Sequence, residues 1–301
     1  MIELEGIAKT YADGMEALKG VSIRLDRGMF GLLGPNGAGK TTFLSILVLA
    51  LEPSAGRRIY DGLDAASRRA RAEIRRRIGF LPQDYQPIGH LTGREYLTHC
   101  ARLREVPLGR AALRRRIGEL IEGVGLERAA DRRAGEYSGG MKRRLGIAQA
   151  LIHSPRLLVV DEPTAGLDPE ERIRFRMLVT EVAADTTVLL STHIVEDVEA
   201  TCPRLGVIGR GRLLFDGPPG ELLRRANGRL WQVPVDAPLP AGAIEVSRRA
   251  DLLGGAERVV HYDGPVPGAI PRPPTLEESY AAFLALQGIE IHPDDAEGVA
   301  P

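Results

Sequence analysis

The chain has 301 residues, 44% hydrophobic and 27% charged, which is the make-up of a globular protein with room for one large domain and a small one. Forty Lys and Arg balance forty Asp and Glu, so no whole-protein charge draws it to nucleic acid or to an anionic membrane. Two isolated cysteines, Cys100 and Cys202, cannot form a metal cluster alone and fit a reducing compartment. The opening MIELEGIAKTY is charged where a secretory leader needs an apolar run. The apolar run FLSILVLAL falls short of the roughly 20 residues that cross a bilayer. The chain therefore reads as cytosolic, and any work at a membrane needs a partner that spans it.

In chain order, IELEGIAKTY and ALKGVSIRL read as strands. MFGLLG is a strand that enters a glycine-rich loop and then the apolar helix TTFLSILVLA. The arginine clusters at 68–77 and 110–117 read as solvated helix faces, with a face turned towards lipid headgroups or a partner as the alternative. Residues 84–155 are rich in Arg, Leu, Ala and Glu with helical periodicity, which predicts a helical subdomain. LLVVDEP at 157–163 and TTVLLSTH at 186–193 are apolar on both faces and predict buried parallel strands. Strands alternating with helices give an α/β fold around a covered parallel sheet. After residue 227 Pro and Gly become dense, and a last helix, TLEESYAAFLAL, follows. The expected division is a main domain over 1–227 and a small accessory domain or extension over 228–301, with a frayed tail DDAEGVAP.

GPNGAGKTT fits the phosphate-binding loop pattern G-x-x-x-x-G-K-[ST] and runs Gly34, Pro35, Asn36, Gly37, Ala38, Gly39, Lys40, Thr41, Thr42. Its glycines let backbone N–H groups curl around phosphate oxygens. Lys40 supplies a point charge, Thr41 a hydroxyl for Mg²⁺, and the following helix its positive end. The second site is Asp161 and Glu162, adjacent carboxylates at the end of an apolar strand. Successive strand residues point oppositely, so they can divide the work: Asp161 holds Mg²⁺, directly or through water, and Glu162 polarises the attacking water. Guanine readers of the common type need N-K-x-D, whereas Asn36 and Asn227 are the only asparagines and Gly follows each.

A third element lies between these two. EYSGGMKRR at 136–144 resembles the signature of the ABC-type ATPases, usually LSGGQ, and it opens a predicted helix with Ser138 as its N-cap. Ser138, Gly139, Gly140 and Met141 make a second anion site, separated from the phosphate loop by a whole helical subdomain. The resemblance implies a P-loop core with an N-terminal antiparallel β subdomain and an inserted helical subdomain. It also implies that two copies pair head to tail, each signature closing over the other's ATP. It carries over Tyr11 as the aromatic that stacks on adenine, and Gln83 as the residue that contacts Mg²⁺ and water and senses the membrane partner. Asp168 becomes the loop residue that touches the opposite subunit, and His193 the γ-phosphate contact. The resemblance covers about three quarters of the chain. Position 141 is Met where Gln is usual, and position 137 is Tyr where Leu is usual.

The resulting expectation is an ATP- and Mg²⁺-dependent ATPase subunit of a membrane transporter. It should be peripheral on the inner face of the cell membrane and paired with a second copy and a separate permease. The wording GMFGLLGPNGAGKTT and the ending PTLEESYAAFLAL resemble the ABC-2 exporter group. The rival reading is a soluble mechanical ATPase on nucleic acid or the ribosome. It lacks support, because the chain has no inserted coiled coil, one phosphate loop and no zinc cysteines. No nucleic-acid partner is expected. A cytosolic ATPase of cofactor assembly fits less well with the segment after 228.

Overall fold

The computed structural model describes residues 1–164, 167–250 and 256–289. The tail at 294–301 and residues 165–166 of the loop before Asp168 lie outside them. Strands β1 (Ile2–Thr10) and β2 (Glu16–Leu25) pair antiparallel and bury alternate side chains on one face. Strand β3 (Gly28–Leu33) is buried on nearly every residue and feeds the glycine loop and helix α1 (Lys40–Leu47). The apolar run continues to Leu51, yet α1 stops at Leu47, and Leu49 turns into the left-handed region at φ 60°. The Ala50 and Leu51 N–H groups turn back to the Ser45 carbonyl at 2.8 and 3.0 Å, and tertiary contacts fix this end. Strand β4 (Ala55–Tyr60) brings Tyr60 Oη to the Leu47 carbonyl at 2.5 Å and Arg58 Nη1 to the carbonyls of Ile46 and Leu51, each at 3.4 Å. The Tyr60 hydroxyl satisfies the Leu47 carbonyl, which the helix end leaves without an intrahelical partner. With β5 (Leu63–Asp64), the first sheet has the order β2-β1-β4-β5.

Helix α2 (Arg68–Arg75) carries the first arginine cluster and buries only Ile74, so the cluster is a solvated face. Strand β6 (Ile78–Leu81) leads to helices α3 (Gly93–Leu103), α4 (Arg110–Gly123) and α5 (Gly139–Leu151). Then follow β7 (Leu157–Asp161), α6 (Pro169–Ala183), β8 (Thr187–Thr192), α7 (Val195–Thr201), β9 (Arg204–Gly209) and β10 (Arg212–Gly217). The central sheet runs β10-β9-β3-β8-β7-β6, parallel except for β10 at one edge. Leu33 sits level with Thr192, Asp161 with Ser191, and Leu81 with Val160. The carboxyl ends of β3, β8, β7 and β6 therefore lie side by side, which is where open α/β sheets bind ligands.

Helix α8 (Pro219–Ala226) precedes a separate antiparallel sheet of β11 (Leu230–Pro234), β12 (Ile244–Ala250), β13 (Ala256–His261) and β14 (Ile270–Pro271), ordered β12-β13-β11-β14. Helix α9 (Leu276–Leu286) opens with a capping box between Thr275 and Glu278. It is apolar on most sides and returns to the main core, because such a helix must be covered all round. Phe283 meets Phe215 edge-on at 6.0 Å between ring centroids, and Arg225 lies over both rings.

Candidate nucleotide-binding site

The loop between β3 and α1 is built so that only glycine fits at two points. A Cβ on Gly34 would lie 2.5 Å from the Ile208 carbonyl oxygen. Gly39 has φ 105°, and a Cβ there would lie 2.7 Å from the Ala17 carbonyl oxygen. Backbone therefore packs on backbone behind the loop, which leaves its front face open. Gly39 also begins α1, so the positive helix end faces the loop. Lys40 is buried. Its Nζ donates to the carbonyls of Gly34 and, at 3.2 Å, of Pro35, and it lies 4.0 Å from Glu162 Oε1.

A cavity of about 480 Å³ collects the rest of the site. Asn36, Gly37, Gly39, Lys40, Thr41 and Thr42 line it from the loop, Asp161 and Glu162 from the end of β7, His193 from just past β8, and Gln83 from just past β6. Four parallel strands thus deliver four separate sequence motifs to one place. Tyr11 does not line the cavity, but its hydroxyl is 3.1 Å from Thr42 Oγ1, and Lys9 Nζ lies 5.5 Å from its ring centroid.

Asp161 and Glu162 are both buried, and their environments differ. Burial holds the Asp161 carboxyl above its ordinary range. The Glu162 charge pushes the same way, while Ser191, Lys40 and Arg143 oppose it. Glu162 has φ 48°, an uncommon conformation for a residue with a Cβ, and its N–H donates to the Ser191 carbonyl at 2.8 Å. This bend carries the Glu162 carboxylate to His193, whose Nδ1 is 2.5 Å from Glu162 Oε2. Two neighbouring acids therefore face different partners: Asp161 faces the Ser191 hydroxyl, and Glu162 stands against an imidazole.

The signature stands apart. Ser138 caps α5, with its Oγ accepting from the Met141 N–H at 3.2 Å, and Ser138 and Gly139 are exposed. None of residues 138–141 lines the cavity. A Cβ on Gly140 would meet the Glu171 carboxyl at 2.8 Å, and Glu171 pairs with Arg144 at 3.0 Å. Asp168 caps α6 by accepting from the Glu171 N–H at 2.8 Å, which ties its segment to the signature helix. The Tyr at 137 is buried and donates to the Ala129 carbonyl at 2.6 Å, so it fills the core beneath the signature rather than joining its exposed face.

Sequence reasoning did not single out Met15, Glu16, Ala17, Lys19, Arg210 and Gly211, which also line the cavity. Arg210 (φ 48°) and Gly211 (φ 77°) form the turn between β9 and β10. That turn is bound to the phosphate loop by Gly211 N–H to the Ala38 carbonyl at 3.0 Å, and to β2 by Lys19 N–H to the Gly211 carbonyl at 2.8 Å. The R-G pair signals a turn in the sequence, but its neighbours are more than 150 residues away in the chain.

Residues 18–165 match the ABC transporter family. An uncharacterised ABC transporter ATP-binding protein of Bacillus subtilis (strain 168), YxlF, is 37% identical over 78% of this chain and 77% of its own length. The chain belongs to the ABC transporter ATP-binding proteins. Nod factor export ATP-binding protein I of Burkholderia thailandensis is 41% identical over 75% of this chain and 74% of its own. The dimeric post-hydrolysis structure of the ATP-binding cassette MJ0796, bound to ADP and Pi, matches with a TM-score of 0.66 at 26% identity, covering 72% of this chain and 98% of that one. As an ABC ATP-binding protein the chain binds and hydrolyses ATP on an α/β fold.

Proposed function

We propose that the chain is the ATPase subunit of an exporter, working as a head-to-tail pair of copies beneath a separate membrane-spanning permease. One observation carries the pairing. The loop, Asp161, Glu162, Gln83 and His193 share one cavity, while Ser138 and Gly139 are exposed outside it, so each chain holds one complete half and one donor half of a site. Among the described residues no helix is long and apolar enough to cross a membrane, in keeping with a peripheral seat on the inner face. Export is favoured because the Burkholderia relative is named for it. Residues 1–227 form the ATPase domain in this reading and 228–301 an accessory segment. The exposed Gln83–Asp84 segment and the α3–α4 helices beyond it are the proposed permease seat.

The roles follow from position. Tyr11, beside the start of α1, takes the base. The loop N–H groups and Lys40 hold the β- and γ-phosphates. Thr41, Asp161 and Gln83, which line one cavity, carry a hydroxyl, a carboxylate and an amide oxygen, the hard donor set Mg²⁺ takes beside phosphates. Bound there, Mg²⁺ would neutralise phosphate charge. Glu162 accepts the proton of the attacking water, with His193 Nδ1 packed 2.5 Å from that carboxylate. In the pair, Ser138, Gly139, Gly140 and Met141 offer the α5 N-terminus, and Asp168 its loop, to the other copy. The Gln usual at 141 is replaced by a Met that packs on the core, so that contact rests on Ser138 and backbone N–H groups.

Glu162→Gln is the direct test. It should bind ATP, elute as a pair of copies with ATP, and turn over about 10²–10⁴-fold more slowly, the usual cost of losing a positioned general base. Hydrolysis at the wild-type rate would remove Glu162 from its role.

A further inference from the structure

We propose that Asp197 is a positioning residue for hydrolysis: through Thr164 and Arg176 it fixes the backbone that aims Glu162 at His193. The proposal rests on the roles given to Glu162 and His193 above. Asp197 is 1% exposed, and an ionised carboxylate that deep is costly unless every oxygen is used. Both are used. Oδ2 accepts the Thr164 hydroxyl, and Oδ1 accepts Arg176 Nε at 2.7 Å with Arg176 Nη2 at 2.5 Å. Its own backbone carbonyl accepts the Thr201 hydroxyl at 2.6 Å, which fastens the residue within α7.

Placement gives the clamp its meaning. Thr164 is 0% exposed and stands two residues after Glu162. Asp197 stands four residues after His193, in the first turn of the helix that follows it. The Thr164–Asp197 contact therefore closes a ring whose other side is His193 Nδ1 against Glu162 Oε2. Arg176, from the middle of α6, braces the ring from a third element. Inside the ring, Glu162 keeps φ 48°, a sparsely populated conformation that survives only where neighbours over-determine it. The Glu162 N–H bond to Ser191 holds it from one side. The clamp holds it from the other.

Thr164→Val removes the hydroxyl, keeps the shape and leaves the Asp197–Arg176 pair in place. Measured on the full chain with Mg-ATP, kcat should fall about tenfold or more with KM within about twofold, since a small misplacement of a reacting group acts on the chemical step. Thr164→Ser keeps the hydroxyl and should hold kcat within about threefold of wild type. In a Glu162→Gln background Thr164→Val should lower the residual rate no further, because the clamp acts through the carboxylate already removed. Arg176→Lys, which loses the Nε contact, should show the same kcat-only loss in milder form. The proposal is overturned by a Thr164→Val kcat within twofold of wild type. It is equally overturned by a KM that rises as kcat falls, or by an undiminished effect in the Glu162→Gln background. Full hydrolysis by Glu162→Gln itself would instead overturn the assignment of Glu162 on which the clamp depends.

Discussion

Tyr137→Phe isolates one hydroxyl beneath the signature. Tyr137 Oη donates to the Ala129 carbonyl at 2.6 Å, and that oxygen also accepts the Arg132 N–H at 2.9 Å. The carbonyl therefore keeps one partner when the hydroxyl goes, and the cost is that of a single neutral hydrogen bond, about 1 kcal/mol. For a domain of this size that lowers Tm by about 2–4 °C. The same hydroxyl explains Gly93, the first residue of α3, where a Cβ would lie 2.4 Å from Tyr137 Oη. Gly93→Ala alone should cost about 1–3 kcal/mol by overpacking. Combined with Tyr137→Phe, the methyl enters the space the oxygen left, so the double variant should recover about 1 kcal/mol or more relative to the sum. Thermal and urea unfolding of the four proteins measure this cycle, with ATPase activity of Tyr137→Phe expected within about twofold of wild type because the exposed signature atoms are untouched. Additive single effects would refute the pairing of Gly93 with the Tyr137 hydroxyl.

Further expectations follow from the site and the core. Lys40→Ala should weaken Mg-ATP binding by about tenfold or more, since it removes a charge-assisted contact; an unchanged Kd by calorimetry would contradict the phosphate role. Asp161→Asn should still bind ATP but lose most of its stimulation by Mg²⁺, and a normal Mg²⁺ titration of ATPase rate would contradict it. His153 accounts for a pH effect on stability: burial, helped by the Arg104 charge, lowers its pKa from 6.5 to about 4. The fold holds the neutral ring, with Nε2 3.0 Å from the Ile78 carbonyl, so its contribution is complete above pH 6.5 and lost as pH falls from there through about 4. Discounted for its partial exposure, the loss should be about 1–2 kcal/mol, and His153→Gln should flatten that part of the stability curve in urea titrations at stepped pH.

The phosphate loop, the Asp161–Glu162 pair and the signature were legible because each is a local string at a strand or helix end. Their convergence followed from strand order, since parallel strands bring their carboxyl ends to one edge. The contacts that tune the site were not legible. Thr164 and Asp197 are 33 residues apart and Arg176 and Asp197 are 21 apart, and Thr, Arg and Asp are common surface residues. The early end of α1 was hidden for the same reason, because FLSILVLA favours helix and the Arg58 and Tyr60 contacts from β4 to its last carbonyls come from outside it. The last helix was visible as a helix, but not its return to α7 and α8, which side-chain packing alone decides.

The central claim is that each site is completed by Ser138 of a second copy. Lys40→Ala breaks the loop half and Ser138→Arg the donor half, so each variant alone should be nearly inactive in ATP hydrolysis. Mixed in equal amounts, half the pairs combine the two variants and carry one intact site of two, restoring roughly a quarter of wild-type activity. A mixture no more active than its components, or a Ser138→Arg protein as active as wild type, would contradict the claim.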